Sequence, residues 1–167
     1  MSSSRPAQAI LTLVVRVAGA LLAVLPFSPV VLHRLGLPTL AALAERPWLS
    51  MCHRMPERSL AFLGEVMPLC SRCLGLVVGM GLGLLVGWPN LSLRALRITV
   101  SLACAFLFLE LTTQDLGWHP VFHPTRLLSG FLVSFPIGAA VTVLVRKLGE
   151  HDTPSAMQPS ASLAGNG

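Results

Sequence analysis

Charged residues are scarce in this sequence. Asp, Glu, Lys and Arg make up 11% of its 167 residues, whereas 53% of the residues are hydrophobic. Soluble domains carry about 25% charged residues, so this chain has too few polar side chains to cover a water-facing globule. The composition excludes an ordinary soluble domain and indicates a protein whose solvent is the lipid bilayer.

Lysine is nearly absent, and the signatures of several common enzyme classes are absent too. The chain has 12 basic residues and a net charge of +5. Almost all of the basic residues are arginines, and they are dispersed among apolar runs, which excludes a nucleic-acid-binding surface. Phosphate-binding P-loops, hydrolase nucleophile elbows and HExxH metalloprotease motifs are not found. The sequence therefore carries none of these enzyme signatures, and we do not expect an enzyme of these classes.

Four apolar segments predict an all-α membrane protein, because about 20 helical residues cross the hydrocarbon layer. The segments form a membrane domain over residues 7–148, with a short lead at 1–6 and a tail at 149–167 that is expected to be disordered. A long interfacial loop before the second helix is expected to contain a helix from Pro56 to about Glu65. The transmembrane helices are predicted near residues 7–25, 70–88, 96–113 and 127–148.

Four glycines repeat every fourth residue along the second predicted helix. Glycines at this spacing share one side of a helix and let another helix backbone approach closely. The stripe therefore predicts close helix packing. It also allows the alternative that the protein is a scaffold subunit, which docks on a second copy or on another membrane protein through these glycines. These glycines are Gly75, Gly79, Gly83 and Gly87.

Reactive side chains are concentrated in two short runs. Cys52 and His53 are adjacent in the first run, and Cys70 and Cys73 form a C-x-x-C pair in the second. Thiolate and imidazole groups are the usual ligands of tetrahedral zinc. The four residues therefore predict a metal site, zinc first, either with all four as ligands or with three cysteines that His53 supports. Iron or haem ligation is a weaker reading of the same residues.

Charged residues surround the predicted metal ligands. Arginines close to thiols offset thiolate charge and lower thiol pKa values. The same surroundings suit a membrane thiol–disulfide oxidoreductase in which Cys70 and Cys73 cycle, so this alternative stays open. The residues expected to tune the charge of the site are Arg54, Glu57, Arg58 and Arg72.

An acid lies deep in the third apolar segment. Glu110 and Gln114 are four residues apart and share one helical face. Because a carboxylate in a membrane segment needs a partner, we expect an intramembrane ion pair or polar pocket under the cysteine site. The candidate partners are Arg16, Arg72 and Arg126.

The two cysteine runs carry a resemblance to a known family. The run from Cys52 to Ser59, then Gly64, the run from Pro68 to Gly75, and Gly79 resemble the signature of small prokaryotic membrane proteins catalogued as a domain of unknown function. The resemblance implies a multi-spanning membrane domain in which the motifs meet, and it implies no activity.

The resemblance continues more loosely towards the C-terminus and includes three departures. The family pattern has an aspartate where this chain has Glu110, a glycine where it has Leu111 and an asparagine where it has His123. Residues 1–45 and the tail lie outside the resemblance. The looser matches are Glu110, Gln114, Gly117, Arg126 and Gly130.

Arginines lie on both sides of the predicted helices, so the excess of cytoplasmic positive charge does not by itself fix the orientation. Several arginines on the side of the cysteines belong to the predicted site. With those set aside, we expect both termini in the cytoplasm and the cysteine site on the outer face of a prokaryotic cytoplasmic membrane.

Overall fold

A computed structural model describes residues 4–52, 55–118 and 120–151, with side chains described between residues 8 and 148. These residues are mostly helical, which confirms the predicted all-α membrane fold. The elements in chain order are α1 (Ser4–Val24), α2 (Ser28–Arg34), α3 (Pro38–Leu49), β1 (Ser59–Phe62), β2 (Glu65–Cys70), α4 (Ser71–Val86), α5 (Leu93–Asp115) and α6 (His123–His151).

Three helical segments are long and apolar enough to cross a membrane within the described residues. They are Gln8–Arg34, Leu93–Asp115 and His123–Leu148. The first is longer than predicted, because a 3-10 turn at Leu25–Phe27 joins α1 to α2. Only 11% of the apolar window in α5 is buried inside the protein, so most of that helix presents hydrophobic side chains outwards, as lipid contact requires.

Helix α4 is the shortest of the four predicted spans. Its 16 residues correspond to a length of about 24 Å, less than the roughly 30 Å hydrocarbon layer. It lies between α1 and α6, and its contacts with α6 are the most extensive in the fold. Helix α5 packs on α6. Because α4 is surrounded by other helices, the residues at its N-terminus lie inside the bundle rather than at its lipid-facing rim.

The glycine stripe of α4 is used for packing within the chain. A Cβ atom added at Gly75, Gly79 or Gly83 would collide with the backbone of α6, and one at Gly87 would meet Thr142 of the same helix. The stripe thus contacts α6 of the same chain, and docking of a second copy or another membrane protein through these glycines stays a prediction. Close backbone approach is possible here only because glycine lacks a side chain.

The predicted helix from Pro56 to Glu65 is wrong. Only a 3-10 turn forms at Pro56–Arg58, and an antiparallel hairpin of β1 and β2 follows it. Leu63 and Gly64 make its two-residue turn with φ values of +52° and +80°, the left-handed conformation of a type I′ turn. The guanidinium of Arg34 donates to the Leu63 carbonyl and anchors the turn to α2.

A small hydrophobic core lies between the hairpin and the first turns of α4. Met67 and Leu69 of β2 are 1% and 0% exposed, and Cys52 and Cys73 pack against the edge of this core. The hairpin is thereby fixed against the helices rather than lying free at the interface. The core residues are Val30, Trp48, Met67, Leu69, Leu74 and Val77.

The two ends of the bundle differ. The amide of Gln8 in α1 donates to the carbonyl of Arg146 in α6 at 3.0 Å, which joins the first and last helices near the two termini. The hairpin and the start of α4 lie at the other end. The predicted disordered tail begins within α6, whose backbone is helical to His151, and its remaining residues, 152–167, lie outside the described residues.

Candidate metal centre

Three cysteines from two separate segments converge at the N-terminus of α4. Cys52 follows α3, Cys70 ends β2 as the residue preceding α4, and Cys73 lies in the first turn of α4. Their Sγ atoms all lie within 4.8 Å of one another, and all three thiols are free and half-buried. The pairing of Ser59 with Cys70 in the hairpin returns the chain from Cys52 to the start of α4. The hairpin thus brings the two cysteine runs together.

The surroundings of the cluster favour a thiolate at Cys70, whereas the hydrogen bond to Cys70 and burial raise the pKa of Cys73. The backbone N–H of Cys70 donates to Sγ of Cys52 at 3.3 Å. A hydrogen bond with the Cys73 thiol lowers the pKa of Cys70 to about 5, and this effect outweighs burial, which raises it. The N-terminus of α4 adds the positive end of its helix dipole. Thiolates are the form of cysteine that binds metal ions.

The sulfurs form one side of a cavity of about 350 Å³. The lining also includes three arginines, here called the basic side of the cavity: Arg58 from the 3-10 turn, Arg72 from the first turn of α4 and Arg126 from the first turn of α6. The cavity therefore combines soft sulfur ligands with guanidinium groups. Its lining residues are Met51, Cys52, Met55, Arg58, Cys70, Arg72, Cys73 and Arg126.

A buried polar network supports the basic side of the cavity. Glu110 of α5 is 6% exposed and accepts a hydrogen bond from Nη2 of Arg72 at 2.5 Å. The Gln114 amide donates to the other oxygen of Glu110, and its own oxygen accepts from Nη1 of Arg126 at 3.1 Å. The hydroxyl of Ser129 lies 3.5 Å from Oε2 of Glu110. The acid and the amide singled out in the third segment thus connect the starts of α4 and α6.

Other residues singled out in the sequence have different positions. His53 and Arg54 lie outside the described residues. Glu57 is exposed on its 3-10 turn and does not line the cavity. Of the three candidate partners of Glu110, Arg72 forms the ion pair, and Arg16 is exposed on α1. Nδ1 of His123 lies 3.3 Å from the hydroxyl of Ser71 rather than among the sulfurs.

Three side chains at the site were not anticipated from the sequence. Met51 and Met55 line the cavity beside Cys52, and Ser129 contacts Glu110. Both methionines lie within three residues of Cys52 in the sequence, so their place in the lining could have been predicted once Cys52 was assigned to a site. Nothing local marks Ser129, because its contact depends on how α5 and α6 pack.

Residues 52–140, more than half of the chain, match the family described as "Predicted membrane protein (DUF2085)". The chain belongs to this family. The matched segment includes all three clustered cysteines, the hairpin and the network around Glu110. The family description and the three apolar spans together make the chain a membrane protein. No solved structure matches the chain.

Two archaeal relatives are similar to this chain, and both are called uncharacterised proteins. One, from Methanocaldococcus jannaschii, is 29% identical over 92 residues, which are 52% of this chain and 58% of the relative. The other, from Methanothermobacter thermautotrophicus, is 31% identical over 101 residues, which are 59% of this chain and 86% of the relative. The match thus spans less than two thirds of the first relative and most of the second.

Proposed function

We propose that this membrane protein binds a thiophilic metal ion, zinc, through Cys52, Cys70 and Cys73. The observation that carries the proposal is the convergence of three free sulfurs, from segments 18 residues apart, within 4.8 Å of one another. Tetrahedral zinc with Zn–S bonds of 2.3 Å holds its sulfurs about 3.8 Å apart. A shift of about an ångström or less therefore brings these side chains into ligand geometry.

The number of sulfurs favours a metal over a structural disulfide. A disulfide joins two sulfurs and leaves the third as a half-buried thiol, whereas one ion engages all three. The Cys70 N–H to Cys52 contact and the helix dipole stabilise negative charge on sulfur, which metal ligation uses directly. His53 is the candidate fourth ligand by its position in the sequence, beside Cys52.

Elemental analysis of protein purified without oxygen tests the proposal. Wild-type protein is compared with the Cys70→Ser, Cys73→Ser double variant and with Cys104→Ser, an exposed cysteine of α5 outside the cluster. We expect about one zinc per chain in the wild type and in Cys104→Ser, and almost none in the double variant. Equal metal content in all three samples, or no metal in any of them, would overturn the zinc site.

The identity of the metal is tested in the same experiment. Iron in place of zinc would move the function towards electron transfer. Copper would indicate a softer site, because thioethers such as those of Met51 and Met55 bind Cu(I) alongside thiolates. With iron or copper, the cysteine ligands of the proposal would stand and only the identity of the bound ion would change.

A thiol–disulfide oxidoreductase is the second candidate function. It is favoured by Cys70 preceding α4 and Cys73 lying in the first turn, a C-x-x-C pair at a helix N-terminus. In such a protein the two thiols lose two electrons and two protons to a membrane quinone as their disulfide forms. Thiol counting before and after addition of a quinone distinguishes the candidates: loss of two thiols per chain supports the redox pair, and a constant count in zinc-loaded protein supports the metal site.

The proposed location is a prokaryotic cytoplasmic membrane, with the metal site on the outer face and both termini inside. The separation of the cysteines from the Gln8–Arg146 end of the bundle supports opposite faces for the site and the termini. A reporter that is active only outside the cytoplasm, fused after residue 151, tests this orientation. An active reporter would contradict cytoplasmic termini and place the site inside.

A further inference from the structure

The basic side of the cavity has hydrogen-bond donors that no protein group satisfies. Nε of Arg72 and Nε of Arg126 are both buried, and neither has a hydrogen-bond partner among the described residues. Arg126 is 3% exposed as a whole residue, and both arginines line the cavity of about 350 Å³. Buried donors in native proteins are almost always paired, so two in one cavity indicate a missing acceptor.

The carboxylates nearby do not account for these arginines. Glu110 pairs with Nη2 of Arg72, and within the described part of the chain no carboxylate lies within salt-bridge distance of Arg58 or Arg126. Gln114, which accepts from Nη1 of Arg126, is neutral. A guanidinium that is buried without an acid in contact is unfavourable, and Arg126 is such a group. The half-buried Arg58 adds a second guanidinium that is not paired to an acid among the described residues.

The sulfur side does not complete the charge balance either. Three thiolates around one divalent ion carry a single net negative charge, and Glu110 carries another. The three arginines that line the cavity therefore exceed the negative groups by one charge. A bound monoanion with oxygen acceptors would balance the charge and would also satisfy the orphaned N–H groups.

We propose that the cavity between the cysteine cluster and Arg58, Arg72 and Arg126 is a binding site for an oxyanion, of the phosphate class. The planar guanidinium group of arginine donates two parallel hydrogen bonds to the oxygens of a phosphate group. The unsatisfied Nε–H groups of Arg72 and Arg126 would donate to such oxygens. The source of the phosphate is either a free small anion or the headgroup of an acidic phospholipid, because the cavity opens at one end of a membrane helix bundle. The proposal goes beyond the metal site. Its charge balance rests on the divalent ion of the proposed function, whereas the unsatisfied N–H groups of Arg72 and Arg126 do not depend on the ion.

Binding of inorganic phosphate to the detergent-solubilised full-length protein tests the free-anion source by equilibrium dialysis with labelled orthophosphate. Arg126→Gln removes the buried charge, and Arg97→Gln is the matched control, because Arg97 is exposed near the start of α5, at the other end of that helix from Glu110. We expect wild type and Arg97→Gln to bind about one phosphate per chain, and Arg126→Gln to bind at least about tenfold more weakly.

Nanodiscs test the lipid source. The protein is placed in phosphatidylcholine with or without phosphatidylglycerol, and retained lipid is identified by native mass spectrometry. Retention of phosphatidylglycerol by wild type and Arg97→Gln, but not by Arg126→Gln, supports a headgroup as the ligand. The proposal is overturned if the wild type neither binds phosphate nor retains phosphatidylglycerol. It is also overturned if Arg97→Gln loses binding as much as Arg126→Gln does.

A second variant and a metal assay keep these outcomes distinct. Arg58 is only half-buried, so Arg58→Gln is expected to fold if Arg126→Gln does not, and it should also weaken phosphate binding. Zinc, iron and copper are measured in every sample. Metal-loaded protein that binds no anion overturns this inference alone, whereas protein that binds phosphate but no zinc, iron or copper overturns the metal site alone.

Discussion

Arg72 at the start of α4 donates a hydrogen bond to Glu110 of α5 at 2.5 Å, and both side chains are largely buried, with 13% and 5% exposure. The pair connects α4, which carries Cys73 and directly follows Cys70, to α5, which is mostly exposed. Breaking a buried ion pair by removing one partner leaves an uncompensated charge, which is more costly than removing both.

We therefore predict that Glu110→Gln lowers stability by roughly 3–5 kcal/mol. Thermal unfolding in detergent measures this as a lower apparent melting temperature. Glu57→Gln is the control, because Glu57 is exposed and outside the cavity. The double variant Arg72→Gln, Glu110→Gln should lose less than the sum of the single changes. Additive losses would show that the two charges do not interact.

Gly75 provides a second prediction, because a Cβ atom there would collide with the carbonyl of Leu127 in α6. Gly75→Ala should push α4 and α6 apart, with a loss of stability of about 1–3 kcal/mol. Since Gly75 lies two residues after Cys73, metal content should fall as well. Ser101→Thr adds one methyl group on the exposed face of α5 and should change neither property. If Gly75→Ala behaves like Ser101→Thr, the close packing of α4 on α6 is contradicted.

The hairpin turn makes a third prediction. Leu63 has a φ of +52°, which costs a leucine roughly 1 kcal/mol or more, whereas asparagine adopts this conformation readily. Leu63→Asn creates an Asn-Gly turn and should raise the apparent melting temperature. Leu35→Asn is the matched control, since Leu35 is similarly exposed but has a φ of −79°. A gain in both variants would attribute the effect to lower surface hydrophobicity instead of to the turn.

Removing the metal should loosen the end of the bundle that holds the hairpin. A ligand present at 100 times its dissociation constant stabilises the folded state by about 2.7 kcal/mol, so a chelator should lower the apparent melting temperature of the wild type. The Cys70→Ser, Cys73→Ser variant should unfold at the same temperature with and without the chelator. An equal effect of chelator on both proteins would mean that it acts elsewhere.

Much of this fold follows from sequence periodicity and length. The apolar runs behind α1, α5 and α6 are long enough that lipid, rather than tertiary context, decides their helical state. The glycine repeat from Gly75 to Gly87 correctly indicated close helix packing. It did not reveal the partner helix, because a stripe of small residues is the same whether the approaching backbone belongs to this chain or to another.

The hairpin is not predicted by the sequence, because a local helix signal competes with a distant contact. Pro56 with Glu57 has the pattern of a helix start. Gly64, however, adopts a positive φ, which forms a turn instead of a continuous helix. Arg34, 29 residues before Leu63, stabilises this turn. That contact is tertiary and has no signature near the turn. The grouping of Cys52, Cys70 and Cys73 was open to prediction because reactive residues are so rare in this composition. The choice of Arg72 over Arg16 as the partner of Glu110 required the helix arrangement.

X-ray absorption at the zinc K-edge of wild-type protein tests the central claim most directly. A site made by Cys52, Cys70 and Cys73 predicts three Zn–S distances of about 2.3 Å and one shorter distance to nitrogen or oxygen. A spectrum dominated by nitrogen and oxygen neighbours, with no sulfur shell, would contradict the assignment of the cysteine cluster as a metal centre.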